Sequence, residues 1–289
     1  MPIKNIGEII DTANAGGFAI GRYRKISSNA TIIGIWQDLA MSVGQPNPIY
    51  YASTPMVAAQ MKFSTLQGSI FHGPNVSPMK KYLKRVALTA NSASYSGHLF
   101  TLLDYLAYVP FIDESIYNEE QIIDFSAGLP RYTDGKGVKM MLVSAAQGGG
   151  GNGIYITYTN QDGVSGRVTF CTMNQGSING ACLVGTGGSA SNNSASLFVP
   201  LLGADTGVRS VQSIRFDGPD VGLMTLVLVK PIASMFFNDN KSVMEKDFIL
   251  HNGLIMPQIE DDAFLNMVIS SRGTHAGIQL TGEFEFIYK

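Results

Sequence analysis

Short apolar runs, separated by glycine and polar turn residues, dominate the chain from residue 85 to its end. Val208–Phe216 alternates between apolar and polar residues and predicts a strand that, with one register adjustment, turns Val208, Val211 or Ile214, and Phe216 to a buried face. Gly222–Ile232 is almost continuously apolar and predicts a buried strand that ends at Pro231. The same reasoning predicts strands at 85–93, 138–145, 263–270 and 282–288. The apolar run at 99–111 suits a buried strand or a helix, and the bracketing Gly97 and Pro110 favour the strand. The pattern therefore indicates an all-β protein.

The clearest local signal is a hairpin between residues 154 and 171. Ile154–Thr159 and Val164–Cys171 are both rich in β-forming residues, and Asn160-Gln161-Asp162-Gly163 separates them. Asp-Gly between two such runs favours a tight turn, because glycine adopts positive φ at no steric cost. The hairpin predicts antiparallel pairing built from neighbouring segments.

The N-terminal third has fewer signals of regular structure. Ile3–Ala13 is a short helix candidate, and Gln45–Pro55 is rich in proline and tyrosine, which favours an extended segment. We therefore expect residues 1–84 to form an extended interaction region and residues 85–289 to form a β-sandwich domain. The fold class we predict is an antiparallel β-sandwich, jelly-roll-like, behind a partly extended N-terminal region.

Two stretches of the second region resemble each other. Arg85–Pro110 and Arg209–Pro231 each run through a basic residue, a strand, a glycine, a long apolar strand and a proline. The match is too weak to define a repeat, but it is compatible with two related β-modules at 85–200 and 201–289.

Charged residues make up 15% of the chain, against about 25% in typical soluble proteins. One explanation is a soluble β-protein with many turns, and the other is a subunit whose surface is largely covered by neighbours. The low charge favours the second explanation, because interface cores are depleted in charge. The thirteen methionines and the 45% hydrophobic content favour it too.

Local clusters supply candidate interface residues. Basic side chains gather at 80–85, and a tyrosine pair follows the prolines at 46 and 48. Each cluster is compatible with a solvated face or with a seam between subunits. The candidate interface consists of Tyr50, Tyr51, Lys80, Lys81, Lys84 and Arg85.

Charge and hydropathy also bear on partners and location. A net charge of −2 gives no overall attraction to nucleic acid, so none is expected as a direct partner. Uninterrupted apolar stretches are too short for a membrane span, and Glu8 and Asp11 lie where a signal peptide would be apolar. Synthesis in a cytoplasm without export is the simplest expectation.

Candidate chemistry is weak. Gly148, Gly150 and Gly153 satisfy G-x-G-x-x-G, but a predicted strand follows where a dinucleotide site needs a helix. The four histidines lack metal-ligand spacing, and Cys171 and Cys182 lie in apolar runs typical of buried free thiols. We therefore predict no enzyme, no catalytic residues, no cofactor and no metal site.

Seven sequence blocks together resemble a family of virion structural proteins of tailed double-stranded DNA bacteriophages. The blocks are NPIYYASTP (47–55), IFHGPNVSP (70–78), LLDYLAYVPFID (102–113), LPRYTDGKGV (129–138), YTNQDGVSGR (158–167), GVRSVQSIRF (207–216) and LVLVKPIAS (226–234). The resemblance extends over nearly the whole chain and implies a particle component without catalysis.

Among virion roles, we expect a capsid auxiliary or cement protein that decorates and stabilises the head. Its partners would be the major capsid protein or other virion proteins, together with further copies of itself in a homo-oligomer. Its location would be the virion, after synthesis in the host cytoplasm. A head fibre, neck or tail protein is the alternative, and a β-protein that binds host glycans is the third.

Overall fold

A computed structural model describes residues 5–26, 34–91, 98–146, 151–174, 179–185, 196–237, 243–251, 255–270 and 279–289. One helix, α1 (Ile6–Asn14), precedes the strands, and the Asn5 side chain caps it by accepting from the Glu8 amide at 2.9 Å. The strands are β1 (Phe18–Ile26), β2 (Trp36–Asp38), β3 (Val43–Gln45), β4 (Ala59–Gln60), β5 (Lys81–Ala90), β6 (His98–Asp113), β7 (Gln121–Ile122), β8 (Lys139–Ala146), β9 (Gly153–Asn160), β10 (Arg167–Met173), β11 (Val184–Gly185), β12 (Val208–Phe216), β13 (Leu223–Phe237), β14 (Met244–Asp247), β15 (Gln258–Ile259), β16 (Leu265–Ser270) and β17 (Gln279–Tyr288).

The strands form three sheets. The first outer sheet has the order β14-β5-β17-β1-β3, with β15 beside β5. The central sheet has the order β2-β16-β6-β13-β8, with β4 beside β6, and the second outer sheet has the order β11-β10-β9-β12-β7. All pairings between these strands are antiparallel. The prediction of an all-β, antiparallel, sandwich-like fold is confirmed.

The long ribbon of β6 and β13 connects two hydrophobic cores. At the start of β6, Phe100 and Leu102 belong to a buried cluster with Phe284 and Phe286 of the first outer sheet. Farther along β6, Val109 and Ile112 belong to a second cluster, with side chains such as Ile156 of the second outer sheet. Three register shifts interrupt the pairing between β6 and β13, and such shifts allow a long strand to bend. One central sheet thus packs against two outer sheets.

The central sheet curls, and residues 179–185 bridge its two edges. Ala181 forms a bridge with Gln37 of β2, and Cys182 forms one with Val143 of β8. The Cys182 amide donates to the Trp36 carbonyl at 2.7 Å, and the Leu183 amide donates to the Leu142 carbonyl at 2.8 Å. The third buried cluster includes Tyr51, Met61, Tyr105, Val143 and Val229. The N-terminal third therefore contributes side chains to the protein's interior.

The strand pairing crosses the expected boundaries. β1 pairs with β17 over nine residue positions, and β2 pairs with β16, so residues 1–84 share sheets with the C-terminal part of the chain. Likewise, β6 pairs with β13, which joins the two modules expected at 85–200 and 201–289. Strands from both sides of residue 84, and from both sides of residue 200, therefore pair within the same sheets.

Candidate functional site

The six candidate interface residues lie in different environments. Tyr50 is 59% exposed, and Lys80 is also exposed. Tyr51 and Lys81 are each 1% exposed, so their side chains are not available to a partner. Lys84 and Arg85 are partly buried in ion pairs. The candidate interface therefore does not form one accessible patch.

Tyr51 is held inside the protein by a buried carboxylate. Its hydroxyl donates to Asp38 Oδ2, while the Tyr105 hydroxyl donates to Asp38 Oδ1 at 2.7 Å and the Ala40 amide to the same atom at 2.9 Å. Burial raises the pKa of Asp38, and the two tyrosine hydrogen bonds oppose that effect. This arrangement fixes the N-terminal segment against β6 and satisfies the polar atoms that it buries.

Lys81 is held by a second buried cluster. Its Nζ donates to His72 Nδ1 at 2.9 Å and to the Pro74 carbonyl at 2.7 Å, and His72 Nε2 lies 2.8 Å from the Ala263 carbonyl. Burial lowers the pKa of Lys81 to about 8, against the opposing influence of Asp261. Both of these hydrogen bonds of Lys81 are internal, which indicates that Lys81 anchors the loop before β5.

Lys84 and Arg85 lie on the exterior of the first outer sheet. Lys84 Nζ is 2.8 Å from Glu285 Oε2, and Arg85 Nη1 is 3.1 Å from Glu245 Oε1. Although burial acts in the opposite direction, the hydrogen bonds from Arg85 and Lys84 lower the pKa of Glu285. Because their charges are already paired within the sheet, these two residues offer less to a partner than the sequence suggested.

A different surface, on the second outer sheet, has the character of an interface. In one row across β10, β9, β12 and β7, the register aligns Val168, Thr157, Ser213 and Ile122. The next row aligns Phe170, Tyr155 and Arg215. We call these seven residues the aromatic face. Ile122 is 70% exposed, Phe170 47% and Val168 46%.

Contacts within the aromatic face determine how its rings are presented. The Tyr155 and Phe170 ring centroids are 5.0 Å apart, and Arg215 Cζ lies 4.3 Å from the Tyr155 centroid. Since β10 and β12 flank β9, Phe170 and Arg215 lie against opposite sides of the Tyr155 ring. Contacts from both neighbouring strands therefore hold the Tyr155 ring in place.

Sequence reasoning missed the aromatic face. In Arg167–Met173, apolar residues occupy both alternating sets, so periodicity does not show which set is buried. The structure buries Cys171 and Met173 and exposes Val168 and Phe170. The useful signal was the strand's excess of apolar residues over what one buried face requires.

Among the described residues, no group of three or more histidine, cysteine or acidic side chains could hold a metal ion. Cys171 and Cys182 are buried free thiols, and burial raises the pKa of Cys171 to about 12, which disfavours the reactive thiolate. In the glycine motif, Gly153 begins strand β9, whereas Gly148 and Gly150 lie outside the described residues.

Within the described ranges, no helix has the length and apolar character needed to cross a membrane. No family model, no curated protein and no solved structure matches the chain.

Proposed function

We propose that this chain is a structural component of a tailed bacteriophage particle, and specifically a capsid auxiliary protein that reinforces the head. The resemblance of the seven sequence blocks supports the particle role. The observation that carries the docking role is the aromatic face, on which Val168, Phe170 and Ile122 are exposed at the two lateral ends.

The charge distribution supports this choice of surface. The aromatic face contains one charged side chain, Arg215, whose Nε lies 3.8 Å from Glu120 Oε1. Depletion of charge together with exposed aromatic residues characterises the cores of protein interfaces. The exterior of the first outer sheet carries charged side chains such as Arg85, Glu245 and Glu285. The occupant we propose is a neighbouring shell subunit that presents a flat, weakly charged protein surface.

Substituting Phe170 with arginine tests this docking surface. We expect F170R to lower the amount of protein on particles by roughly tenfold or more, because a charge buried in the contact would be desolvated without a partner. The measurement is quantitative mass spectrometry of particles assembled with each variant, normalised to the major capsid protein.

The matched control is I20R, which places arginine at a 43% exposed position on the exterior of the first outer sheet. It should leave the occupancy unchanged, and thermal unfolding should show that both variants are folded. Full occupancy by F170R would exclude the aromatic face as the docking surface. Absence of the wild-type chain from purified particles would contradict the structural role itself. A copy number equal to that of one ring of subunits per particle would favour the neck or tail alternative.

A further inference from the structure

A pocket of about 340 Å³ lies beside the first outer sheet, away from the aromatic face. Its lining includes Arg22 from β1, Gln45 from β3, and Asn47, Phe63, Gln67 and Phe71 from the segments that follow β3 and β4. A volume of this size is at the lower end of the range of ligand pockets, about 300–1,000 Å³. The described lining residues include aromatic, amide and basic side chains and no acidic ones.

The backbone brings these elements together at Gly21. A Cβ atom there would lie 2.2 Å from the Phe71 carbonyl oxygen, so the segment that carries Phe71 can cross β1 because position 21 is glycine. The Phe71 side chain is left 51% exposed, and its ring centroid is 6.1 Å from that of Phe63. The crossing thus places a partly exposed phenyl ring at the pocket.

Two amide side chains of the pocket are oriented by a hydrogen bond to each other. Asn47 Nδ2 donates to Gln67 Oε1 at 2.7 Å. This contact leaves Asn47 Oδ1 as an acceptor and Gln67 Nε2 as a donor for a ligand. Arg22 is exposed, and the ion pairs found among the described residues do not involve it.

We infer that this pocket binds a saccharide unit that carries a carboxylate. The C–H face of a sugar ring packs against an exposed phenyl ring, while neighbouring hydroxyl groups need both donors and acceptors, which the two amides supply. The guanidinium of Arg22 matches a carboxylate in shape and charge and can bind it through two parallel hydrogen bonds. The pocket gives the chain a ligand-binding activity that goes beyond the structural role and does not depend on it.

The test uses the purified full chain and immobilised oligosaccharides. Uronate-containing probes are fragments of polygalacturonate, hyaluronan and alginate, and neutral probes are fragments of amylose and cellulose. We expect binding to at least one uronate probe and weaker binding to the neutral ones. F71A should lower that affinity about tenfold through loss of the aromatic contact, and R22Q should remove the preference for uronates.

The matched control is F170A, which removes a phenyl ring of similar exposure, 47% against 51%, from the aromatic face. It should bind the uronate probe as the wild type does, and thermal unfolding should confirm that each variant is folded. Failure of the wild type to bind any probe, or binding of neutral sugars alone, would overturn the inference. Binding that F71A and R22Q leave intact, or that F170A weakens as much, would place the ligand elsewhere and overturn it too.

Discussion

Replacing Arg131 with methionine is expected to destabilise the protein by about 3–5 kcal/mol, the usual cost of removing one partner from a buried ion pair. Arg131 Nη2 lies 2.6 Å from Asp104 Oδ1, and Nε lies 3.0 Å from Oδ2. The Asp104 side chain is fully buried, and Arg131 is 7% exposed. Methionine fills much of the same volume but leaves the Asp104 carboxylate without its counter-charge.

Arg131 also donates to backbone carbonyls that belong to different segments. Its Nη1 and Nη2 lie 3.2 Å from the Met61 carbonyl oxygen, and Nη2 lies 3.0 Å from that of Tyr105. Asp104 Oδ1 in turn accepts from the Phe264 amide at 2.9 Å. The Arg131–Asp104 pair therefore links β6 to segments near residues 61 and 264, which explains why a single substitution in the pair should have a large effect.

Equilibrium unfolding in urea measures the effect, with two comparison variants. K136M removes an exposed pair whose atoms are 3.9 Å apart and should change the free energy of unfolding by less than about 0.5 kcal/mol. The double variant D104N/R131M should be less destabilised than R131M, because an amide needs no counter-charge. A loss below about 1 kcal/mol for R131M, at the scale of a surface pair, would contradict this account.

Local sequence patterns predicted strands and turns best where the structure depends on residues close together in the chain. The strand predicted at Val208–Phe216 has the observed bounds of β12. The turn between β9 and β10 forms at the predicted residues: Gly163 has a φ of +81°, and Asn160 Oδ1 accepts from the amides of Asp162 and Val164. β10 begins at Arg167, three residues later than predicted, so the loop extends beyond the turn.

Two errors show the limits of those local rules. We predicted that the strand at Gly222–Ile232 would end with Pro231, yet β13 continues to Phe237. A register shift follows Pro231, and a bulge tolerates a residue without an N–H. β1 was missed, although FAIGRYRKI alternates between buried and exposed positions, because the basic residues Arg22, Arg24 and Lys25 interrupt its apolar pattern.

The buried polar residues depend on contacts that are distant in sequence. Lys25 is 1% exposed and donates to the Ser42 carbonyl at 2.8 Å. The buried hydroxyl of Tyr51 donates to the Asp38 carboxylate. Lysine is mostly exposed and tyrosine is intermediate in burial on average, and periodicity does not reveal an acceptor thirteen or more residues away. The interior environments of Lys25 and Tyr51 were therefore beyond the reach of local sequence patterns.

The resemblance between the two β-segments has a structural counterpart. β5 lies in the first outer sheet and leads to β6 in the central sheet, while β12 lies in the second outer sheet and leads to β13 in the same central sheet. β6 and β13 then pair antiparallel. Each segment thus runs from an outer strand to a central strand, but the central strands are neighbours. The two similar segments therefore each contribute one strand to the same central sheet.

His72 is expected to make the protein less stable as the pH falls from 6.5 to about 4. The Nδ1 atom accepts from Lys81 Nζ at 2.9 Å, and Nε2 donates to the Ala263 carbonyl at 2.8 Å, so the buried ring is held neutral. Burial and the nearby Lys81 charge lower the pKa of His72 from 6.5 to about 4. In this pH range the unfolded chain binds a proton that the folded chain does not.

The direction of the effect follows from proton linkage. Because the unfolded state binds more protons between pH 4 and pH 6.5, stability rises with pH over that interval and is lost as the pH falls. A pKa lowered from 6.5 to about 4 corresponds to about 3 kcal/mol at 1.36 kcal/mol for each pH unit. Above pH 6.5 both states carry a neutral imidazole, and this contribution is constant.

The H72Q variant separates this contribution from that of the acidic residues, which also titrate in acid. Glutamine can accept from Lys81 and donate to the Ala263 carbonyl, but it does not titrate. Urea unfolding of both proteins at pH 4.0, 5.0, 6.0 and 7.0 gives the difference in their free energies of unfolding. Wild type should lose about 3 kcal/mol more than H72Q between pH 6.5 and pH 4. Parallel curves would mean that His72 titrates alike in the folded and unfolded states, and that the buried contact with Lys81 does not hold the ring neutral.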